Sequence, residues 1–311
     1  MQADRRPMRC PASRRRQLVA IGKPFDTMLK HVIPHLPTRA LGRMIGALLY
    51  VCSVSQRRIV RRNLQFAFPD FSPQRVRRTA WAVFKNYGTT LVEILQMGFF
   101  SREQVLSRVK LHGLDQVLGK VSPQQGVVVV SAHMGNWEIG MQVMPCFFGR
   151  PLTAVAKKFK AGLIENWLHK TRTRFGSQIL YKKGALAEMT RIIREGGVLT
   201  ILVDMARRKD GVDIEFFGKK ATATPAAAML ALRCRCPVVP VFCLREADGT
   251  IGIRVGAPIE MLRSRDLRRD LVVNTQRITD VVEGMVRQHP EQWHWVMKRW
   301  KDHYPELYKE V

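Results

Sequence analysis

The chain has 311 residues, an ordinary apolar content of 46% and a formal net charge of +27 at pH 7. That length suits one large domain with a sizeable core or two small domains, and that charge predicts an anionic partner: a membrane surface, a nucleic acid or an acidic protein. No run of 18 or more uncharged apolar residues occurs, which excludes an ordinary transmembrane helix, and the basic start lacks the apolar segment of a signal peptide.

About half of the excess positive charge lies in the first 80 residues, which hold 17 Lys and Arg against three acidic residues. Residues 1–16 are basic and almost without apolar side chains, so they are predicted to form a disordered extension. Residues 17–108 are predicted to form a helical region that associates with a membrane.

Three helices are predicted in that region. An amphipathic helix spans 38–55, and a second helix, rich in arginine, spans 56–68. A third begins with Ser72 as N-cap and Pro73 in the first turn and continues to about residue 97. A pair of basic helices with an apolar face is typical of proteins that bind a membrane surface. We therefore predict that the first two helices contact the membrane and that the third packs on the core.

From residue 109 onward strands and helices alternate, which predicts an α/β fold: a mostly parallel or mixed central sheet covered by helices. We interpret residues 109–311 as this core, which forms one catalytic domain with the preceding helices. The predicted strands lie near 126–132, 152–156, 178–180, 198–203, 238–244 and 251–255, and the predicted helices near 136–147, 161–175, 184–195, 224–233 and 266–288. The last two strands are predicted to pair as a hairpin around Asp248-Gly249.

Six cysteines are present, at positions 10, 52, 146, 234, 236 and 243. No pair has the spacing of zinc ligands, so we expect no metal site and no bound cofactor. We interpret the cysteines as reduced thiols of a cytosol-facing protein.

One stretch combines a buried strand with residues that can carry chemistry. Val127–Val130 is a β-branched apolar run without alternation, typical of a strand buried on both faces. His133 and Glu138 follow, with Gly135 and Asn136 between them as a turn and a helix N-cap. The imidazole and the carboxylate can meet only if one lies in the strand-to-helix turn and the other in the first helical turn, because five residues within one helix would put them on different faces. This is the end of a strand at which α/β sheets bind ligands.

A histidine with a carboxylate partner can act as a general base. The chain has no GxSxG elbow, so the nucleophile is predicted to be a hydroxyl of the substrate. The alternative interpretation is structural: His133 caps the helix, and Glu138 is a solvated acid of its first turn.

Several segments together resemble a known family. His133–Glu138 resembles the H-x-G-N-W-E form of the H(x4)D/E box of the lysophospholipid acyltransferase superfamily. Other segments resemble motifs of its lipid A biosynthesis lauroyl/myristoyl acyltransferase family in Gram-negative bacteria: Arg61–Pro69 (R-x-N-L-x-x-x-F-P), Arg172–Gly176 (R-x-R-F-G), Phe216–Thr224 (F-F-G-x-x-A-x-x-T) and Pro290–Trp295 (P-E-Q-W-x-W). Their order and spacing cover roughly residues 35 to 302, nearly the whole chain.

The resemblance implies the reaction and its partners. A membrane-associated enzyme moves a fatty acyl chain from an acyl thioester, that of acyl carrier protein, to a hydroxyl of a lipid A precursor or similar glycolipid. In the implied mechanism, His133 takes the proton of that hydroxyl, and Glu138 holds the imidazole in the productive tautomer. The acyl group is transferred directly, without an acyl-enzyme intermediate. The implied location is the cytoplasmic face of the bacterial inner membrane, peripheral or monotopic, and an acidic carrier protein suits a chain of this charge.

The expected substrate-binding residues are Gly135, Asn136, Lys157, Arg172, Arg174, Asp204, Phe217, Gly218 and Thr224. Lys157, Arg172 and Arg174 would bind phosphates of the glycolipid or of the pantetheine arm, with an ordinary basic helix as the alternative. Asp204 ends a strand, where a site residue or a turn former is expected. The amides that follow Thr224 would bind an anion or the thioester oxyanion, with a simple N-cap as the competing interpretation.

Two departures from the family pattern concern the acceptor. Ala161-Gly162 stands where the family often has Asn-Pro, and Asp204-Met205 where it often has Asp-Gln. The acceptor therefore stays open among a lipid A precursor, a mannosylated phosphoinositide and a lysophospholipid. Two further hypotheses are a hydrolase that uses the same residues on water and a nucleic-acid binder, for which the sequence has the charge but no helix-turn-helix, zinc-finger or RNP signature.

Overall fold

The computed structural model describes residues 32–309, except 118, 123, 157–160, 182–184 and 208. The chain divides into two units, Met1–Leu36 and Pro37–Val311. Residues 32–36 of the first unit are described, with a 3-10 helix at Ile33–His35. The expected extension 1–16 lies outside the described residues.

The second unit contains helices before, between and after the strands. The helices are α1 (Thr38–Cys52), α2 (Val54–Ala67), α3 (Pro73–Met97), α4 (Arg102–Leu106), α5 (Trp137–Phe148), α6 (Gly162–Thr173), α7 (Ala185–Arg194), α8 (Ala226–Cys234) and α9 (Leu267–Gln288). The strands are β1 (Val109–His112), β2 (Val127–Ser131), β3 (Leu152–Ala156), β4 (Gln178–Tyr181), β5 (Val198–Leu202), β6 (Val212–Phe216), β7 (Lys219–Ala223), β8 (Val238–Arg245) and β9 (Ile251–Val255). The predicted α/β class is confirmed. Over the described residues, no helix has both the length and the apolar character needed to cross a membrane.

The central sheet has the described strands in the order β1-β9-β8-β2-β5-β3-β4. β8 and β9 pair antiparallel as the predicted hairpin, and the other neighbouring strands pair parallel. β6 and β7 form a separate hairpin that the sequence pattern did not predict. Its turn is Phe217-Gly218, and both residues have positive φ, which is unusual for phenylalanine.

The strand β2 lies in the middle of the sheet, and its five residues are all buried. Val128 and Val130 pack in one hydrophobic cluster, whereas Val127 and Val129 pack in the cluster on the opposite face. Two covered faces explain why the strand shows no polar alternation. The prediction of a fully buried strand before the turn at His133 is confirmed.

Helices α1 and α3 cross in close contact through glycines. A Cβ at Gly88 of α3 would lie 2.3 Å from the carbonyl oxygen of Gly42, and one at Gly46 would lie 2.3 Å from the carbonyl oxygen of Phe84. Small residues four apart allow two helix backbones to approach in this way. Because the glycines of α1 face the protein, large apolar side chains elsewhere on α1 remain exposed.

The C-terminal segment is tied to α2 by a buried asparagine. The Asn63 side-chain amide donates to the carbonyl oxygens of Trp295 and Met297 at 2.7 and 2.8 Å, and its oxygen accepts from the Tyr308 hydroxyl at 2.7 Å. Two segments far apart in sequence, Arg61–Pro69 and Pro290–Trp295, therefore pack together and place the C-terminal segment against the end of β2.

Candidate active site

Asp204 and His133 meet because their strands are adjacent and in register. Ser131 of β2 pairs with Leu202 of β5, and His133 and Asp204 each follow the last residue of their strand by two positions. His133 Nδ1 lies 2.8 Å from Asp204 Oδ1, and the His133 backbone N–H donates to Asp204 Oδ2 at 2.9 Å. The indole N–H of Trp293 donates to the same Oδ2 at 2.8 Å. The carboxylate thus fixes both the imidazole ring and the turn that carries it.

Asp204 is held as a carboxylate. Its burial would raise its pKa, but the charge of His133 and the hydrogen bonds from His133 and Trp293 outweigh burial and lower the pKa to about 2. An ionised Asp204 accepts the Nδ1 proton, which leaves the lone pair of the neutral imidazole on Nε2. The imidazole is 20% exposed, whereas the carboxylate is fully buried behind it. This is the arrangement of a general base with an orienting acid.

The same pair contributes to stability. The pKa of Asp204 in the folded protein, about 2, is below the value of about 3.9 expected in an unfolded chain. Because folding lowers this pKa, the ionised Asp204 stabilises the folded protein at pH values above the pKa that Asp204 has in the unfolded chain. This stability is lost as the pH falls through the folded pKa.

Glu138 has a different partner from the one expected. It lies in the first turn of α5, as predicted, but its carboxylate forms a bidentate ion pair with Arg172 of α6, with Nε–Oε2 at 2.7 Å and Nη2–Oε1 at 2.5 Å. Both side chains are only 9% exposed. The expectation that Glu138 holds the tautomer of His133 is therefore corrected, because the carboxylate at Nδ1 belongs to Asp204. The register of β2 and β5 brings that acid to the imidazole.

The two arginines expected to bind phosphate have intramolecular partners. Burial lowers the pKa of Arg172, but its hydrogen bond and ion pair with Glu138 raise that pKa overall, so the guanidinium remains charged. Arg174 Nη1 donates to the carbonyl oxygens of Met97 and Gly98, at 3.2 and 2.8 Å, where α3 ends. Both arginines therefore join helices, but only Arg172 has its charge paired with an acid, whereas Arg174 is exposed and bonded to carbonyl oxygens. Lys157 lies outside the described residues.

Gly135 and Asn136 shape the turn that carries His133. Gly135 has a φ of +52°, and a Cβ there would lie 2.2 Å from the carbonyl oxygen of Cys243, so only glycine fits. Its N–H donates to the carbonyl oxygen of Gln292 at 2.9 Å. The predicted N-cap is confirmed, because Asn136 Oδ1 accepts from the Ile139 N–H at 3.1 Å. The contacts of both residues hold the turn in place.

A second ion pair holds the same turn from the side of α3. Glu93 of α3 and Arg245 at the end of β8 pair at 2.5 Å and are 13% and 10% exposed. Glu93 Oε2 accepts from Asn136 Nδ2 at 3.0 Å, and the Thr90 hydroxyl donates to the carbonyl oxygen of Gly135 at 2.8 Å. This pair could not be predicted from the sequence, because its members are 152 residues apart and neither belongs to a recognised motif.

The other expected site residues have contacts elsewhere. Phe217 and Gly218 form the turn between β6 and β7, and Phe217 packs against Trp295 with ring centroids 6.0 Å apart. Thr224 lies one residue before Pro225, the N-cap of α8, and its hydroxyl accepts from the Ala226 N–H at 3.4 Å. The helix has no side-chain cap, so the predicted capping role of Thr224 is wrong. The described contacts of these residues do not include the imidazole of His133.

A cavity of about 320 Å³ lies beside the imidazole. Among its lining residues, Trp137 and His294 have rings whose centroids lie 5.2 and 6.3 Å from that of His133. Burial, and then the charge of His133, lower the pKa of His294 to about 4, so this second imidazole is neutral near pH 7. Within the described ranges, no three His, Cys, Asp or Glu residues are grouped closely enough to hold a metal ion.

Comparison with known proteins identifies the family. Residues 24–302 match the model of the family described as bacterial lipid A biosynthesis acyltransferase. The lipid A biosynthesis lauroyltransferase of Escherichia coli is 25% identical over 274 residues, 86% of this chain and 87% of that protein. The lipid A biosynthesis acyltransferase of Haemophilus influenzae is 24% identical over 276 residues, 86% of each chain.

A relative of a different description matches over a shorter range. The phosphatidylinositol mannoside acyltransferase of Mycolicibacterium smegmatis is 24% identical over 192 residues, which is 60% of this chain and 60% of that protein. All three relatives are acyltransferases by name, and the resemblance inferred from the motifs is confirmed. The chain therefore belongs to the bacterial lipid A biosynthesis acyltransferase family and is an enzyme that transfers acyl groups other than aminoacyl groups.

Proposed function

We propose that this enzyme moves a fatty acyl chain from the thioester of acyl carrier protein to a hydroxyl of a lipid A precursor or similar glycolipid. The observation that carries the proposal is the His133–Asp204 pair: an imidazole 20% exposed, backed by a fully buried carboxylate. The family supports the acyl transfer, and the names of the relatives support a glycolipid acceptor. A mannosylated phosphoinositide and a lysophospholipid are the alternative acceptors.

The proposed reaction needs one general base and no nucleophile of the protein. The acceptor O–H gives its proton to Nε2 of His133 as the oxygen attacks the thioester carbonyl carbon. The imidazolium that forms is stabilised by Asp204, which remains ionised. When the tetrahedral intermediate collapses, the C–S bond breaks and the leaving thiolate takes the proton from Nε2. The products are an ester and a free thiol.

The charge of the chain supports an acidic donor protein. A formal net charge of +27 would speed encounter with an acidic carrier and would favour anionic glycolipids. Association of this kind weakens as salt rises, because exposed charges are screened.

The test is a thioester assay with and without acceptor. We expect release of the carrier thiol only when a glycolipid acceptor is present, together with an acylated product that mass spectrometry detects. Thiol release at the same rate without acceptor would instead identify a hydrolase. Salt-sensitive DNA binding without any acyl transfer would identify a nucleic-acid binder.

Exposed apolar side chains support attachment to a membrane surface. Met44, Leu48 and Val51 are spaced four and three residues apart on α1 and are 62–63% exposed. Leu163 and Ile164, at the start of α6, are 88% and 56% exposed and follow the carboxyl end of β3, the edge of the sheet that carries the catalytic turn. A surface of this kind would dock on lipid next to the site without spanning the bilayer.

The arginines that follow α1 are less available than the sequence indicates. Arg57 donates to the carbonyl oxygen of Tyr50, and Arg61 donates to the Tyr50 hydroxyl. Arg62 donates to the carbonyl oxygen of Lys309 at 2.6 Å. Membrane binding is therefore expected to depend mainly on apolar burial and to be less sensitive to salt than four freely exposed arginines would make it.

We expect the triple change Met44→Ser, Leu48→Ser and Val51→Ser to weaken vesicle binding about 100-fold. Each partly exposed side chain contributes about 1 kcal/mol when lipid covers it, and 1.4 kcal/mol is a tenfold change. Cosedimentation with vesicles at low and high salt measures the effect. Leu267→Ser on α9, where the side chain is 61% exposed, is the matched control and should bind as the wild type does. Unchanged binding of the triple variant would contradict docking through α1.

A further inference from the structure

Arg299, in the C-terminal segment, is a buried cation that the proposed reaction does not use. The residue is 2% exposed. Its guanidinium donates to the carbonyl oxygen of Thr222, and its Nε has no hydrogen-bond partner. In the part of the chain that the structure describes, no carboxylate forms an ion pair with it. Arginine is almost never buried this fully unless an acid pairs with it, because burial removes the hydration of its charge. The position of this charge therefore needs a physical reason.

Thr222 connects Arg299 to the segment that carries Asp204. Its carbonyl oxygen accepts from the guanidinium, and its hydroxyl accepts from the Arg207 backbone N–H at 3.1 Å. Arg207 follows Asp204 by only three residues. The strand β7, which contains Thr222, therefore brings the buried cation and the buried acid into one region.

Aromatic rings form a second connection between Arg299 and Asp204. The guanidinium carbon lies 5.1 Å from the centroid of the Phe216 ring, and that centroid is 5.5 Å from the centroid of Trp293. The indole N–H of Trp293 donates to Asp204 Oδ2. Because the cation and the carboxylate are both buried, protein rather than water separates them. Their interaction is therefore screened much less than one between exposed charges.

The charge of Arg299 persists at neutral pH and acts mainly on Asp204. Burial lowers the pKa of Arg299 to about 10, although its interactions with Asp204, Tyr308 and Asp302 oppose that decrease. Burial raises the pKa of Tyr308 to about 12, so its hydroxyl is neutral, and Asp302 is exposed to solvent. The second imidazole of the site, that of His294, is also neutral, because burial lowers its pKa to about 4.

A positive charge close to the His133–Asp204 pair has two effects on proton transfer. It favours an ionised Asp204, which burial alone would protonate. It also weakens the hold of the pair on a second proton, because the guanidinium repels an imidazolium. A buried acid without this cation would retain the imidazolium more strongly, whereas the proposed reaction passes that proton on to the leaving thiolate.

We propose that Arg299 is a positioning residue for proton transfer. Acting through Asp204, it keeps the acid ionised and keeps His133 a neutral base that releases its proton readily. The inference rests on the proposed function, since it concerns the same base. The competing role is structural, in which Arg299 only joins the C-terminal segment to β7.

An NMR titration of the His133 imidazole in the resting enzyme tests the proposal without turnover. The signal is assigned by its absence in His133→Gln. In Arg299→Met we expect the titration midpoint to rise by about 0.5–1 pH unit, because a repelling charge is removed. Arg299→Lys keeps the charge and should shift the midpoint far less. Lys298→Met, which removes the neighbouring but partly exposed cation, is the matched control and should leave the midpoint nearly unchanged.

A third variant covers a failure of Arg299→Met to fold. Arg299→Gln is neutral but can still donate to the carbonyl oxygen of Thr222, so it removes the charge and keeps the link to β7. The midpoint should rise in this variant as well. An unshifted midpoint in folded Arg299→Met or Arg299→Gln would overturn the proposal and leave Arg299 a structural role.

The pH dependence of acyl transfer is the second measurement. The acid limb of the pH–rate profile should move to higher pH in Arg299→Met and Arg299→Gln by the amount that the midpoint moves. A rate that falls equally at every pH, with an unmoved limb, would overturn the proposal, because it would mean general damage to the site. A raised midpoint in wild-type-like folded variants, with no acyl transfer by the wild type itself, would support the role of Arg299 and contradict the proposed reaction.

Discussion

Replacing Asp204 with asparagine is expected to lower kcat about 10²–10⁴-fold, nearly as much as replacing His133 with alanine. The carboxylate contacts both Nδ1 and the backbone N–H of His133. Asparagine has almost the same shape but no charge. It therefore either presents an amide N–H to Nδ1 and reverses the tautomer, or keeps the tautomer and no longer stabilises the imidazolium.

Single-turnover rates with excess enzyme measure this effect on the chemical step, and a thermal unfolding curve confirms that the variant is folded. The acid limb of the pH–rate profile should also move to lower pH in Asp204→Asn, because a neutral amide stabilises the protonated imidazole less. His294 does not contribute to that limb above about pH 5, since its pKa is about 4. A folded Asp204→Asn enzyme with a near-normal rate would show that Asp204 is not the orienting acid.

The sequence predicted the local parts of this site and missed its long-range pairing. The buried strand, the turn at Gly135, the N-cap Asn136 and the position of Glu138 all follow from residues adjacent in the chain. The partner of His133 does not, because it depends on the order of strands in the sheet. Asp204 is 71 residues away and reaches the imidazole only because β5 lies next to β2 in register.

The same limit applies to the fold. Periodicity predicted the longer helices and six of the seven described strands of the main sheet, since each is a continuous stretch of sequence. The edge strand β1 and the short helix α4 were not predicted. The β6–β7 hairpin turns at Phe217-Gly218, where phenylalanine adopts a positive φ. A phenylalanine in the sequence does not indicate such a turn, because this residue rarely has a positive φ. The glycine contact of α1 depends on Gly88 of α3. The sequence of α1 alone therefore cannot show which side of this helix the rest of the protein covers.

The buried ion pair of Glu138 and Arg172 is expected to act mainly on stability. Arg172→Met leaves an ionised or protonated Glu138 without its partner in a site that is 9% exposed, and breaking such a pair typically costs about 3–5 kcal/mol. Glu138→Leu leaves the guanidinium unpaired and should cost a similar amount. The double variant Glu138→Leu, Arg172→Met removes both charges together. It should recover most of the loss, because an apolar pair of similar volume needs no desolvation of ions.

The double variant also decides what Glu138 does in catalysis. If the ion pair serves to join α5 to α6, restoring stability should restore most of the acyl transfer rate, because Asp204 still orients His133. Urea unfolding and single-turnover rates of the two single variants and the double variant form a double-mutant cycle that measures both quantities. Arg191→Met, which breaks exposed ion pairs with Glu188 and Glu195, is the control and should cost far less stability than either buried single change, because exposed ion pairs contribute little. A double variant that is stable but inactive would return Glu138 to a direct role at the imidazole.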